Sequence, residues 1–228
     1  MNTFKKLTPN ETVFGFIYFL LQLFVVPGIV VVINMMLNYP MSEAVVNGIY
    51  FAINFVAVVI IFRKYLAVNF EVLSDNPWFV LRWAGIGLLV YMAGNVVFSI
   101  IVTALYPDFA NINDAVIMEM VQENFGLMTL GTVVLVPIAE ECFYRGLIFR
   151  SLFDRSPILA YGASMALFSL AHVLGYVTTA DFTTILLCFL QYLPAGFALA
   201  WCYRRSGSIF ASTLVHMTVN QMGMLLMR

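Results

Sequence analysis

The sequence predicts an all-α fold, a polytopic transmembrane helix bundle, on three observations. Of 228 residues, 62% are hydrophobic and only 10% are charged, against about 25% charged in an ordinary soluble domain. Apolar stretches long enough to cross a hydrocarbon core of roughly 30 Å follow one another along the chain. Lys and Arg fall in alternate connections between those stretches. There is too little polar side chain to cover a water-facing surface, so the apolar surface is assigned to lipid and to other helices. We read one transmembrane domain over residues 1–228, with no internal repeat, no low-complexity tract and no soluble second domain.

Seven spans are expected. The first covers 12–37, with Pro27-Gly28 as a kink. The second covers 44–62 and the third 79–105. The fourth, 127–149, is unusual because charged residues sit inside it. The fifth covers 157–177, the sixth 182–203 with Pro194 inside, and the seventh 208–227. The more polar segment 107–126 suits a short surface helix before the fourth span. The first apolar run is too long for a signal-peptide core and no A-x-A site follows it, so a cleavable signal is not expected.

Basic residues orient the bundle. Lys5 and Lys6 precede the first span, and Arg63, Lys64 and Arg82 lie by the connection between the second and third. Arg145, Arg150 and Arg155 mark the end of the fourth, and Arg204 and Arg205 the end of the sixth. The connections 38–43, 106–126 and 175–181 carry no Lys or Arg. This places the N-terminus in the cytoplasm and the C-terminus outside, with Arg228 alone on the wrong side. The loop composition suits the inner (plasma) membrane of a bacterium. A net charge of −1 gives no reason to expect nucleic acid as a partner. Cys142, Cys188 and Cys202 are an odd number inside or beside apolar segments, and read as packing residues rather than a disulfide framework.

Ionisable side chains at membrane depth cost at least about 2.5 kcal/mol each at a helix centre, and mark function by default. The chain has two His residues, His172 and His216, and both fall within spans. Glu140 and Glu141 stand side by side in the fourth. Glu141 and Arg145 are spaced i, i+4 with the acid first, the favourable order for a pair. Glu140 points about 100° away, so one Arg cannot neutralise both acids equally. Pro137 would start or kink a helix just before them. If it starts one, both acids occupy a first turn, where the dipole favours their ionised form. A salt bridge that merely staples the helix accounts for Glu141 and Arg145 but leaves Glu140 without a partner.

Phe168 and His172 share a face of the fifth span, and His216 and Asn220 share one of the seventh. Taken singly, His172 reads more readily as a packing residue than as a catalyst, and His216 with Asn220 has interhelical hydrogen bonding as its alternative reading. Counted from the basic ends of their spans, Glu140, His172 and His216 all lie inside the bilayer towards the cytoplasmic side, His172 deepest. Small residues such as Gly162, Ala166, Gly196 and Ala200 let those helices approach closely. Three helices therefore bring an acid, two imidazoles and a carboxamide to compatible depths. Such a set can activate water and hold an oxyanion, the chemistry of amide hydrolysis. Two rivals use the same residues. Glu140, His172 and His216 could ligate zinc, although no H-E-x-x-H is present. Cys142 could act as a nucleophile, although neighbouring negative charge opposes its thiolate.

Glu140-Glu141-x-x-x-Arg145, Phe168-x-x-x-His172 and His216-x-x-x-Asn220, in that order, resemble the motifs of the CAAX-protease and bacteriocin-processing (Abi) family of intramembrane glutamic endopeptidases. Pro137-Ile138-Ala139 before the acids, Gly146-Leu147 after Arg145, and Arg205-Ser206-Gly207-Ser208 agree with it. The resemblance covers roughly 130–225, within a motif-bearing core of about 127–227; the first 125 residues match only as generic spans. It implies a metal-independent mechanism without a cofactor. Glu140 would activate water with help from His172, while His216 and Asn220 would hold the oxyanion. Glu141 and Arg145 would brace the helix and Phe168 would shape the pocket. Members of this family often have eight spans. Relatives trim prenylated tails or serve bacteriocin maturation and self-immunity, so the expected partner is a peptide or protein substrate at the lipid bilayer. A non-catalytic scaffold or immunity factor and a proton-coupled transporter are the other functions considered.

Overall fold

Residues 4–227 are described by a computed structural model, and Arg228 lies outside the described residues. Ten helices and no strands make up the described residues. The first begins at a capping box. The Thr8 hydroxyl accepts from the Glu11 backbone N–H at 3.3 Å, and the Glu11 carboxylate accepts from the Thr8 N–H at 2.9 Å. It runs as α1 (Pro9–Phe24) and resumes as α2 (Val26–Met35) after a bend of 41°. Pro27, in the first turn of α2, has no N–H to continue the ladder and its ring crowds the preceding turn, which produces the kink expected there. α1 and α2 together are apolar and long enough to make one bent span.

The second and third spans are α3 (Glu43–Ile61) and α5 (Pro77–Leu105). Between them the chain forms a helix that the sequence reading treated as a plain connection, α4 (Arg63–Asp75). Its composition is too polar to cross a membrane. It packs instead at one end of the bundle, where Asn69 Oδ1 accepts from the Ile209 N–H at 3.0 Å and Glu11 Oε1 accepts from the Tyr65 N–H at 2.8 Å. The short helix expected within 107–126 is α6 (Ile112–Glu123), capped by Asn111. The remaining spans are α7 (Phe125–Phe153), α8 (Pro157–Val173) continued by one 3₁₀ turn, α9 (Phe182–Ser206) and α10 (Ile209–Leu226). With the bent pair counted once, the bundle has the seven spans expected.

Basic residues gather at one end of this bundle. Lys6 pairs with Asp154, and Arg150 Nε donates to the Phe4 carbonyl at 3.2 Å. The guanidinium groups of Arg150 and Arg204 cover the Phe4 ring, and that of Arg205 covers Trp83. Between them the rings of Phe4, Phe149, Phe153, Tyr161 and Tyr203 pack edge-on and tilted at 4.9–6.2 Å. The centre of the bundle is α7, where every residue from Glu141 to Arg150 is buried.

Small residues set the spacing around α7, though not all those expected to. A Cβ added at Gly196 of α9 would lie 3.1 Å from the Met165 Cα of α8, whereas one at Gly162 would meet nothing within 4 Å. Gly196→Val should therefore destabilise the bundle by about 1–3 kcal/mol through overpacking, while Gly162→Val should leave it nearly unchanged. Thermal unfolding of the two variants in one detergent checks this.

Candidate active site

The acids stand in the middle of α7, and Pro137 does not start a new helix. α7 continues through the proline, which corrects the first-turn placement of Glu140 and Glu141: no helix N-terminus faces them. The helix accommodates Pro137 by changing register. Residues Leu130–Leu135 and Cys142–Phe149 adopt π-helical bonding, with the Val136 N–H reaching the Gly131 carbonyl and the Arg150 N–H reaching that of Arg145. In that i→i−5 register the carbonyl Pro137 would have met is Thr132's. Asn220 of α10 supplies the missing donor, its Nδ2 lying 2.7 Å from the Thr132 oxygen. π-turns inside α-helices occur frequently at functional sites.

The two glutamates have different surroundings. Glu141 is wholly buried, with Oε1 at 3.1 Å from Arg145 Nη1 and at 3.1 Å from His216 Nδ1. Arg145 is equally buried. Its Nη2 donates to the Gly196 carbonyl at 3.3 Å, and its guanidinium carbon lies 4.7 Å from the centroid of the Phe168 ring. Glu140 faces the other way. Its Oε2 is buried, has no hydrogen-bond partner, and lies 3.7 Å from His216 Nε2. The imidazole of His216 is therefore held between the acids, one ring nitrogen towards each.

His172 approaches from α8. Its Nδ1 lies 2.8 Å from the Phe168 carbonyl, which can only accept, so Nδ1 carries the proton and Nε2 keeps its lone pair. The ring stacks on Tyr192 of α9 at 4.1 Å. Phe168 lies between the two imidazoles, 4.6 Å from His172 and 5.8 Å from His216 by ring centroids. Sequence reasoning missed the support behind Tyr192. Asn113 Nδ2 donates to the Tyr192 hydroxyl at 3.0 Å, and that hydroxyl donates to Asp114 at 3.4 Å. Burial pushes the Asp114 carboxyl above its usual range, an effect the Tyr192 hydroxyl and His172 oppose. The only sequence signal was the polarity of α6.

All four residues expected to act in catalysis, Glu140, His172, His216 and Asn220, line one cavity of about 980 Å³. His172 occupies the last turn of its helix, at the end with no Lys or Arg, while Glu140 and His216 lie near the middle of theirs. Among the described residues no three His, Cys, Asp or Glu side chains converge in an arrangement fit for a metal ion. Cys142 is buried in the core beneath the site, away from the cavity wall.

Among the described residues the ion pair of Arg145 is with Glu141, and a buried pair that loses one partner leaves an uncompensated charge. Arg145→Met should cost about 3–5 kcal/mol of stability. The double variant with Glu141→Leu should recover part of that loss. Thermal unfolding in detergent measures both.

Residues 122–222 match the family model described as Type II CAAX prenyl endopeptidase Rce1-like. Over 90 residues the chain is 31% identical to the UPF0177 protein YxdF of Lactococcus lactis subsp. lactis (strain IL1403). That stretch covers 40% of this chain and 44% of YxdF, so the match spans less than half of the relative. No solved structure matches the chain. The segment that holds Glu140, His172, His216 and Asn220 is therefore similar to the Rce1-like type II CAAX prenyl endopeptidases, the resemblance that its motifs carry.

Proposed function

We propose that this protein is an intramembrane endopeptidase that hydrolyses a peptide bond of a membrane-associated substrate, with Glu140 as the base that activates water. The observation that carries this reading is the unequal treatment of two adjacent acids. Glu141 is consumed by Arg145 and His216, whereas Glu140 presents a buried, unpartnered oxygen at the cavity wall. A carboxylate kept from bulk water, with an oxygen that has no hydrogen-bond partner of its own, is suited to take a proton from a water bound beside it.

The remaining groups fit the steps that follow. His172, with its Nδ1 proton committed to a carbonyl, offers Nε2 as an acceptor to the same water. Glu141 accepts from His216 Nδ1–H, and Nε2 of the same ring lies beside Glu140 at the cavity wall, where carrying a proton would make it a donor to a substrate oxygen. Asn220 gives one amide hydrogen to Thr132 and keeps its second for a substrate oxygen. A tetrahedral oxyanion placed between His216 and Asn220 would thus meet two donors fixed before the reaction begins, which is the form of stabilisation that costs no reorganisation. Glu140 then passes its proton to the leaving amine, and no metal ion is required. The basic connections and the N-terminus face the cytoplasm in this reading, and the substrate is a prenylated tail, a leader peptide or a membrane-protein segment.

The test is cleavage of a quenched peptide library, with and without a prenylated Cys near the C-terminus, by the detergent-purified protein. Glu140→Gln should lower turnover by about 10²–10⁴-fold with the thermal midpoint unchanged, and a chelator should have no effect. Loss of cleavage on chelation would transfer the chemistry to zinc. A folded protein that cleaves nothing would favour the scaffold or immunity reading.

A further inference from the structure

The cavity wall holds more hydrogen-bonding groups than the proposed chemistry uses. Besides the residues already described, Gln22 of α1, Asn47 and Asn54 of α3, and Asn95 of α5 line it, and no Lys or Arg does so among the described residues. Gln22 and Asn54 stand in otherwise apolar stretches of their spans and are only 7% and 6% exposed. An amide at such depth costs free energy unless it is bonded. Both precede residue 122, where the match to the family model begins, so the family motifs do not account for them.

Two reciprocal bonds fix these amides. The Tyr18 hydroxyl of α1 donates to Asn54 Oδ1 at 2.8 Å, and the Tyr50 hydroxyl of α3 donates to Gln22 Oε1 at 2.8 Å. Both amide oxygens are thereby occupied. The Asn54 amide also leans on the Tyr50 hydroxyl, but an NH2 group carries two hydrogens. Each amide therefore keeps at least one donor for the cavity. Asn47 and Asn95 are the reverse. Their Nδ2 atoms donate to the carbonyls of Glu43 and Tyr91, each at 3.0 Å, which leaves their Oδ1 atoms as acceptors. α3 packs against the Val136–Glu141 turns of α7, and the Tyr18 ring stacks on Phe143 at 6.2 Å, so this wall adjoins the helix that carries Glu140.

A peptide bond open to attack is one released from secondary structure. At membrane depth each peptide unit so released exposes an N–H and a C=O that lipid cannot satisfy, at several kcal/mol per group. A wall that displays neutral amide donors and acceptors meets that need. Building on the protease reading above, we propose that the α1–α3 wall is a main-chain subsite, where Gln22 Nε2 and Asn54 Nδ2 donate to carbonyl oxygens of a substrate held extended beside Glu140. The ligand class is an unwound peptide, gripped by its backbone and not by one particular side chain.

Peptide retention tests it without any turnover, so its failure and failure of the protease reading are distinguishable. Detergent-purified Glu140→Gln protein is mixed with the peptide library, and the peptides it retains through gel filtration are identified by mass spectrometry. The affinity of the best retained peptide is then measured by the anisotropy of an attached dye. Gln22→Met and Asn54→Leu, each added to Glu140→Gln, should weaken binding about 10-fold. Replacing one backbone amide of that peptide by an ester makes its carbonyl a poorer acceptor. The ester should cost about 3–10-fold at one or two positions, and each variant should abolish the penalty at one of them. A purely structural role would weaken every peptide alike and leave the ester penalty in place. Should a variant unfold, Gln22→Glu or Asn54→Asp, which keep the shape and remove the NH2 donors, takes its place. Unchanged affinity in the variants, an ester penalty that persists in both, or retention of no peptide would overturn the proposal. Peptides retained through these amides but never cleaved by the unsubstituted chain would support the subsite and count against the protease reading alone.

Discussion

The fully buried contact of Glu141 with Arg145 and His216 is the constraint on which the arrangement depends. Burying a carboxylate and a guanidinium together is tolerable only with good geometry and further partners. Here the further partners are the parts of the site itself. Arg145 reaches the Gly196 carbonyl of α9 and covers the Phe168 ring of α8, while Glu141 fixes His216 of α10. One ion pair on α7 thus ties together the three helices that follow it in the chain, and it sets the orientation of the imidazole that meets Glu140. Packing alone would leave these helices free to slide, because lipid is as apolar as their own faces and offers no preference for one register.

The same helix shows how a local irregularity is put to use. A proline in mid-helix leaves a carbonyl without its donor. In α7 the π-register moves that vacancy to Thr132, where Asn220 fills it. The contact that repairs α7 therefore also holds the Asn220 amide at the edge of the cavity that Glu140 lines. Repair of the backbone and placement of a donor are one interaction.

Most of the fold was legible in the sequence because lipid demands long apolar helices and leaves few alternatives. The bent first span followed from Pro27, and the short α6 from the polarity of its segment. What could not be read was α4, whose helix is held by tertiary contacts through Asn69 and Tyr65 rather than by an apolar face of spanning length. For the site, the i, i+4 spacings brought Glu141 to Arg145 and singled out Glu140 as the acid without a cation. Spacing along one helix says nothing about partners on another. It therefore gave no sign that Asn220 clips Thr132, or that Asn113 and Asp114 stand behind Tyr192 and so behind His172.

The stack of rings around Phe149 and Tyr203, with Arg150 and Arg204 over Phe4, also has a bioenergetic meaning. A cavity that admits water to the middle of a bilayer shortens the insulating path across it. Moving one elementary charge through a membrane potential involves about 2.3 kcal/mol per 100 mV, and any continuous thread of water would let protons do so freely. Among the described residues, buried aromatic rings fill the space between Glu140 and the basic surface. Because of this layer, the hydrolysis proposed for this site would proceed at the centre of an energised membrane without discharging that membrane.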